Sequence, residues 1–209
     1  TEDITLSIVL IGRDLSPFVR RTATTLNLLG LSYTREEVAA AEAVDFIRQY
    51  NPLGRVPALI IGNDVVIDSA AIIDYALELA GKQSLLSPSG EARRSTLKQS
   101  AIATGVMEKG VVAAYEVTQR PQEYLYEPYR ERVLEQVLAG LQELDEMLGE
   151  AAFFGGTTPD LADVNTVVAY DFICIVAKDK IDSVNLNRLA RLSARANSLN
   201  AFALTRWQG

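Results

Sequence analysis

The sequence predicts a small α+β module over residues 1–80, a linker at 81–90, and an all-α helical module over residues 91–209. Three observations carry that division. Strand-like and helix-like stretches alternate through the first 80 residues, separated by turns rich in glycine, proline and asparagine. The run GKQSLLSPSG then mixes glycine, serine and proline as linkers do. Beyond it, apolar residues recur at helical spacing.

Residues 4–11 are almost wholly apolar, the mark of a strand in the interior of a sheet. A loop, GRDL, follows. Ser16 then caps a helix that runs to about Leu29, where Gly30 takes the usual terminating role. Residues 33–38 read as a second strand and 42–49 as a short helix. Asn51-Pro52 and Gly54 supply turn chemistry before the buried strand Ala58, Leu59, Ile60, Ile61. Gly62-Asn63-Asp64 connects as a hairpin into Val65-Val66-Ile67. Asp68-Ser69 opens a helix through Ile72, Ile73, Ala76 and Leu77. The order βαβαββα suits a thioredoxin-like sandwich with a mixed four-stranded sheet. The crossover makes its two strands parallel, and the short-linked later pair must be antiparallel.

In the second module, residues 91–118 form one long helix that stops before Arg120-Pro121. Residues 127–148 are amphipathic, with Val133, Leu134, Val137, Leu138, Leu141, Leu144 and Leu148 in one stripe. Gly155-Gly156-Thr157-Thr158-Pro159 breaks the chain, and an apolar helix follows over 164–177. Shorter helices are expected at 185–195 and 198–205. In DLAD, Asp160 can cap the apolar helix while Asp163 reaches back to its backbone, a capping-box variant; Thr158-Pro159 offers a competing cap slightly earlier. Both aspartates are therefore read as structural. Cys174 reads as a small buried hydrophobe, and Asp171 requires a partner that the sequence does not identify.

Composition narrows the chemistry. An apolar content of 48% with 22% charged residues is that of a globular protein. A net charge of −7 disfavours nonspecific nucleic-acid binding. No histidine is present, which removes Ser-His and Cys-His catalysis and the commonest metal ligand. One cysteine supplies neither a disulfide framework nor a CxxC pair. No phosphate loop or metal-ligand cluster is visible, so neither a metal nor a resident cofactor is expected. The acidic Thr1-Glu2-Asp3 and the short apolar run after it do not read as a leader, and residues 164–177 fall short of a membrane span. The expectation is a cytoplasmic protein with no membrane or nucleic-acid partner.

The most informative stretch is NPLGRVPALIIGNDVVIDS, residues 51–69. Proline donates nothing to a ladder, so Pro57 belongs at the head of its strand. A cis Val56-Pro57 bond would turn the main-chain polar groups of Val56 off the sheet, where an extended peptide can pair with them as another strand does. Ser69 offers a hydroxyl at a helix N-terminus, whose free N–H groups suit an anion. Asp68 beside it offers a carboxylate for an amine. An extended ligand ending in both an amine and a carboxylate satisfies this set, and glutathione is one through its γ-glutamyl end.

NPLGRVPAL followed by IDSAAI, and preceded by SPFVRR at 16–21, resembles the N-terminal domain of the cytosolic glutathione transferases. PDLADV at 159–164 is similar to the motif that caps the central C-terminal helix of that family, though aspartate replaces its usual serine or threonine at the first position. The likeness spans essentially the whole chain. It is greatest to serine-bearing, bacterial-like members with a Ser-Pro-Phe motif. The resemblance implies a detoxifying enzyme that joins the glutathione thiolate to a small hydrophobic electrophile, with glutathione as co-substrate and no other cofactor. It implies Ser16 as the catalytic hydroxyl and Arg55 reaching the glycine carboxylate of glutathione. It further implies that Val56 and Pro57 present backbone to the cysteinyl residue, and that Asp68 and Ser69 hold the γ-glutamyl end. Leu15, Met107 and Tyr115 are candidates for the electrophile pocket.

Each of these residues also has a plainer role. Ser16-Pro17 is ordinary cap grammar; Arg55 is a solvated turn residue; Asp68-Ser69 is a strand end and a cap; Met107 and Tyr115 are core or dimer contacts. Arg20 and Arg21 read as a solvated or ion-paired helix face. For Ser16 the two roles are compatible, because a hydroxyl at a helix N-terminus can donate to a thiolate held in the same positive field. The family resemblance implies a homodimer, and the surplus apolar residues Met107, Val111, Val112 and Tyr115 on the long helices add to that expectation. The reading from a different class is a noncatalytic, transferase-like protein that binds ligands or partners. The Ser-Ser-Cys pattern of the family's maleylacetoacetate isomerases is absent around Ser16.

Overall fold

The computed structural model describes residues 7–81 and 85–208. Within it the first module runs β1 (Ile8–Ile11), α1 (Pro17–Leu28), β2 (Thr34–Glu36), α2 (Val44–Ile47), β3 (Ala58–Ile61), β4 (Asp64–Val66) and α3 (Ser69–Ala80). The strands form one mixed sheet in the order β2-β1-β3-β4, with β1 parallel to β2 and antiparallel to β3, and β3 antiparallel to β4. This is the thioredoxin-like arrangement expected from the sequence. Of the strand expected at 4–11, residues 4–6 lie outside the described residues, and the ladder begins at Ile8.

Why β1 and β3 read as unbroken apolar runs is evident from their burial. Leu10 and Leu59 are cross-strand partners on the face that packs against Val19, Ala23 and Leu26 of α1 and Ile72 and Ala76 of α3. One residue along, Ile11 and Ala58 are partners on the opposite face and are equally buried. Strands covered on both sides lose the alternation that a half-exposed strand keeps. Helix α1 is buried almost all round, which its polar sequence PFVRRTATTLNL hides. Its threonines make this possible by returning their hydroxyls to the backbone: Thr22 to Phe18 O at 2.9 Å and Thr25 to Arg21 O at 2.8 Å. Arg20 and Arg21 are 4% and 6% exposed, so neither lies on the solvated face considered above.

The second unit contains α4 (Gly90–Thr118), α5 (Glu127–Leu148), α6 (Leu161–Val176), α7 (Lys178–Ile181) and α8 (Asn187–Ala196). Helix α4 packs against both α5 and α6. Its Gly110 makes room for Phe172 and Ile173 of α6, and Gly140 of α5 sits where a Cβ would approach Val106. The α5 stripe is buried at Val133, Leu134, Val137, Leu141, Leu144 and Leu148. At the head of α6, Asp160 accepts from the N–H of Ala162 and Asp163, while Asp163 accepts from Phe154, Gly155 and Asp160 N–H at 2.8, 3.0 and 2.9 Å. Asp160 also accepts from the Thr96 hydroxyl of α4 at 2.9 Å. The helix starts at Leu161, directly after the Asp160 cap read from DLAD.

Asp171 finds partners in Ser193 and Asn197. Asp145, buried on α5, accepts from the N–H groups of Arg188 and Leu189 at the start of α8, both at 2.9 Å. Cys174 is half-buried rather than enclosed, because α6 turns a less covered face outward at Tyr170, Asp171 and Cys174. Among the described residues no helix is long and apolar enough to cross a membrane.

The last turn, α9 (Asn200–Ala203), groups with the first unit, as does the segment from Leu199 onward. The sequence reading had assigned these residues to the helical module. Thr205 and Thr24 share a hydroxyl hydrogen bond of 2.8 Å, Asn27 donates to Ala201 O at 3.1 Å, and Phe202 is fully buried. Farther along, the Arg13 guanidinium lies 5.4 Å from the Trp207 ring centroid, a cation–π contact.

Candidate functional site

The sheet register decides which segments meet. Ile11, the last residue of β1, pairs with Ala58, the first of β3, so the residues after β1 and before β3 leave the sheet at one end. Val66, at the end of β4, pairs with Leu59, which brings the residues after β4 to the same end. Segments 12–16, 55–57 and 67–69 therefore share one edge of the first unit. Gly12 marks how closely two of them approach. Its φ is 123°, and a Cβ there would lie 2.5 Å from Val19 Cγ2 and 3.0 Å from Val56 Cβ. No side chain fits that backbone or that gap.

Ser16 is the N-cap of α1, with Pro17 at the first helical position. Its Oγ accepts from the N–H of Val19 at 3.4 Å, which leaves its own hydrogen available to an outside acceptor. No acidic residue lies in the first turn of the helix itself to offset its positive end. Cap and donor roles thus coexist on one hydroxyl.

The Val56–Pro57 peptide is cis, as is Ile67–Asp68. Val56 lies beyond the last β1–β3 pair, half-buried, and Pro57 is buried. Arg55 is exposed, and its carbonyl accepts from Asn51 Nδ2 at 2.9 Å. Asn51 also accepts from Leu53 N–H through Oδ1 at 3.0 Å and is itself 2% exposed. Beyond forming the turn, the Asn51 side chain ties down the segment that leads into Val56. The signal for this was an asparagine followed by proline, which is present in many plain turns.

Asp68 caps α3 by accepting from Ala70 N–H at 3.2 Å and remains exposed, whereas Ser69, the first helical residue, is 5% exposed. Leu15, next to Ser16, is half-buried. Met107 is fully buried in the second unit and takes the core role held open for it, while Tyr115 is 52% exposed. Among the described residues, no cluster of three or more histidine, cysteine, aspartate or glutamate side chains is placed to hold a metal.

One further group of charges borders the site and was not foreseen. Arg35 of β2 forks onto Asp14, with Nη2–Oδ1 at 2.9 Å and Nη1–Oδ2 at 3.3 Å, and donates from Nη2 to Gly12 O at 3.0 Å. Burial pushes the Asp14 carboxyl above its ordinary pKa, against the pull of the Arg35 hydrogen bonds and charge.

Residues 10–84 match the glutathione S-transferase N-terminal domain family. Over 168 residues, 79% of this chain and 70% of the relative, the sequence is 29% identical to glutathione S-transferase U8 of Arabidopsis thaliana. Over that stretch the chain is similar to the glutathione S-transferases. A probable glutathione S-transferase of Glycine max is 27% identical over 77% of this chain and 68% of its own length. Among solved structures, a glutathione S-transferase from Methylobacterium radiotolerans, in complex with glutathione sulfonate, superposes with a TM-score of 0.86 over 97% of both chains at 20% identity. A glutathione transferase family member from Pseudomonas fluorescens, with bound glutathione, gives 0.83 at 23% identity over 97% of this chain and 100% of that one. At those identities the structural matches establish the fold, and the family match lies on the N-terminal module.

Proposed function

We propose that this protein is a glutathione transferase of the serine-bearing kind, which conjugates the glutathione thiolate to small hydrophobic electrophiles. The observation that carries the reading is the convergence of Ser16, Val56 and Asp68-Ser69 at one end of the sheet, with a hydroxyl at the head of α1, whose first turn carries no acidic residue. The glutathione complexes of the structural neighbours support the choice of ligand.

In this reading the cysteinyl backbone of glutathione pairs with Val56 ahead of Pro57. Its γ-glutamyl amine meets Asp68, and its γ-glutamyl carboxylate meets the head of α3 at Ser69. Arg55, exposed on the turn, faces the glycine carboxylate. The thiol then lies at Ser16. It loses its proton to solvent, and the hydroxyl and helix N-terminus stabilise the sulfur anion that remains. That sulfur forms a bond to the electrophilic carbon, and the leaving group departs with the electron pair of the bond that breaks. Holding both reactants in one place supplies the remaining acceleration. Leu15, beside Ser16, borders the reacting sulfur, and Tyr115 offers an exposed aromatic surface in the helical unit.

Retention on immobilised glutathione, followed by turnover of a chlorinated aromatic, tests the reading. Binding without turnover of any electrophile would replace it with a noncatalytic ligand-binding role. Asp68→Ala and Ser69→Ala are expected to raise the KM for glutathione about tenfold with kcat nearly unchanged, since they hold a part of the ligand remote from the reacting sulfur. Unchanged affinity in both variants would reduce these residues to a helix cap.

We also infer a homodimer. Leu97, Val112 and Tyr115 of α4 are 43%, 37% and 52% exposed. At 100° per residue they fall within about 60° of one another around the helix. The exposed Glu108 lies on the same face between Leu97 and Val112, so the face is mixed in character, and a twofold axis would place it on both subunits. Sedimentation at micromolar concentration is expected to give twice the 22.8 kDa chain mass; a single species at that mass would remove the dimer.

A further inference from the structure

The loop that delivers Ser16 is short and lies outside the sheet ladder. Its turn is closed locally by Ser16 N–H on Arg13 O at 3.1 Å, and Gly12 N–H reaches Glu36 O at 2.9 Å. Ser16 also accepts from Val19 N–H, and Arg13 lies against Trp207; the charged side-chain grip on the middle of the loop comes from Arg35. The guanidinium of Arg35 grips the Gly12 carbonyl and both Asp14 carboxylate oxygens, four and two positions before Ser16. The two side chains are 19% and 15% exposed, so neither charge is solvated well enough to be indifferent to losing the other.

We propose that Arg35 is a positioning residue for Ser16, fixing the loop from β1 to α1 and neutralising the Asp14 carboxylate beside the place where the thiolate forms. The second half of this proposal rests on the transferase reading above; the first does not. Arg35 is suited to the task because its planar fork fixes direction as well as distance, which a lysine ammonium does not. Its backbone is itself fixed, since Arg35 pairs with Leu10 in the β1–β2 ladder. The neighbouring charges are Arg20 and Glu37 around Asp14, with the Tyr33 hydroxyl beside Arg35. Glu37 and Asp14 both oppose an anion at Ser16, and Arg35 and Arg20 favour one. Removing Arg35 therefore loosens the loop and tilts the local field against a thiolate. An ion pair that merely fastened β2 to the sheet would change stability and nothing else.

The experiment reads the loop and the thiol separately. Amide hydrogen exchange at residues 12–16, without glutathione, is compared for wild type, Arg35→Gln, Arg35→Lys and Asp14→Asn. Thiolate absorbance against pH and steady-state kinetics with glutathione follow. In Arg35→Gln the loop amides are expected to exchange about tenfold faster as local opening becomes easier. Its kcat is expected to fall about tenfold with the KM for glutathione within about twofold, and the bound thiol to titrate about one unit higher. Arg35→Lys keeps the charge without the fork, so it should recover the thiol pKa and leave the loop loose. Asp14→Asn should loosen the loop without raising the thiol pKa. Unchanged loop exchange in folded Arg35→Gln overturns the proposal, and if that variant does not fold, unchanged exchange in Asp14→Asn does so. A wild type that binds no glutathione removes the transferase reading, while loop exchange still decides whether Arg35 fixes the loop.

Discussion

Ser16→Ala is expected to lower turnover ten- to a hundredfold at neutral pH while changing glutathione affinity by less than about twofold. The size follows from the bond lost. A hydrogen bond to a charged acceptor is worth ~1.5–3 kcal/mol, which is about one to two pKa units. Removing a donor to the anionic form raises the thiol pKa, so the thiolate fraction falls at any pH below it. The sign has a second consequence. The deficit shrinks as pH rises toward the new pKa, and the variant should approach wild type in alkaline solution. Losing the cap to Val19 N–H also costs about 1 kcal/mol of stability, which a chemical denaturation curve reads independently. Equal thiol pKa values in the two proteins would show that Ser16 is a cap and no more.

Asp163 carries the other large effect, and it concerns folding. The residue is fully buried, and its two carboxylate oxygens accept from three backbone N–H groups, those of Phe154, Gly155 and Asp160. An unsatisfied buried donor costs about 1–3 kcal/mol. Asp163→Ala is therefore expected to cost about 4 kcal/mol, a large share of the ~5–15 kcal/mol by which domains are stable. Asp163→Asn should cost nearly as much, because an amide NH2 then faces a backbone N–H across the cap. The measurement is the urea midpoint. A loss below about 1 kcal/mol in both variants would mean that the Gly155-Gly156 loop relaxes to find other partners.

What could be read from the sequence, and what could not, follows from the range of the interactions. Helix α5 is found at Glu127–Leu148 as read, because Pro128 lies in its first turn, Gly149 ends it at a φ of 55°, and seven apolar residues in one stripe lie between. The single turn α7, KDKI, is too short to show a period. The Asp160–Asp163 cap is local, three residues apart, and its geometry follows from spacing. The site edge was legible in part. Ser16, Val56-Pro57 and Asp68-Ser69 each carry a local signature of proline, cap or turn, and the sheet order brings them together. Arg35 and Asp14 carry none. They are 21 positions apart, and nothing in TRE or GRDL distinguishes a fork from strand to loop from surface charge. The polar sequence of α1 misled for a related reason: threonine returned to its own backbone is no longer polar to its surroundings, so Thr22 and Thr25 can be buried.

The grouping of α9 with the first unit has a consequence for how the chain is made. Helix α1 receives the Thr24–Thr205 bond and the Asn27–Ala201 bond from residues translated about 180 positions later. During synthesis the Thr24 and Asn27 side of α1 must wait for residues 201–205. A ribosome that stalls inside the helical module would therefore release an N-terminal domain with its first helix uncovered on that side.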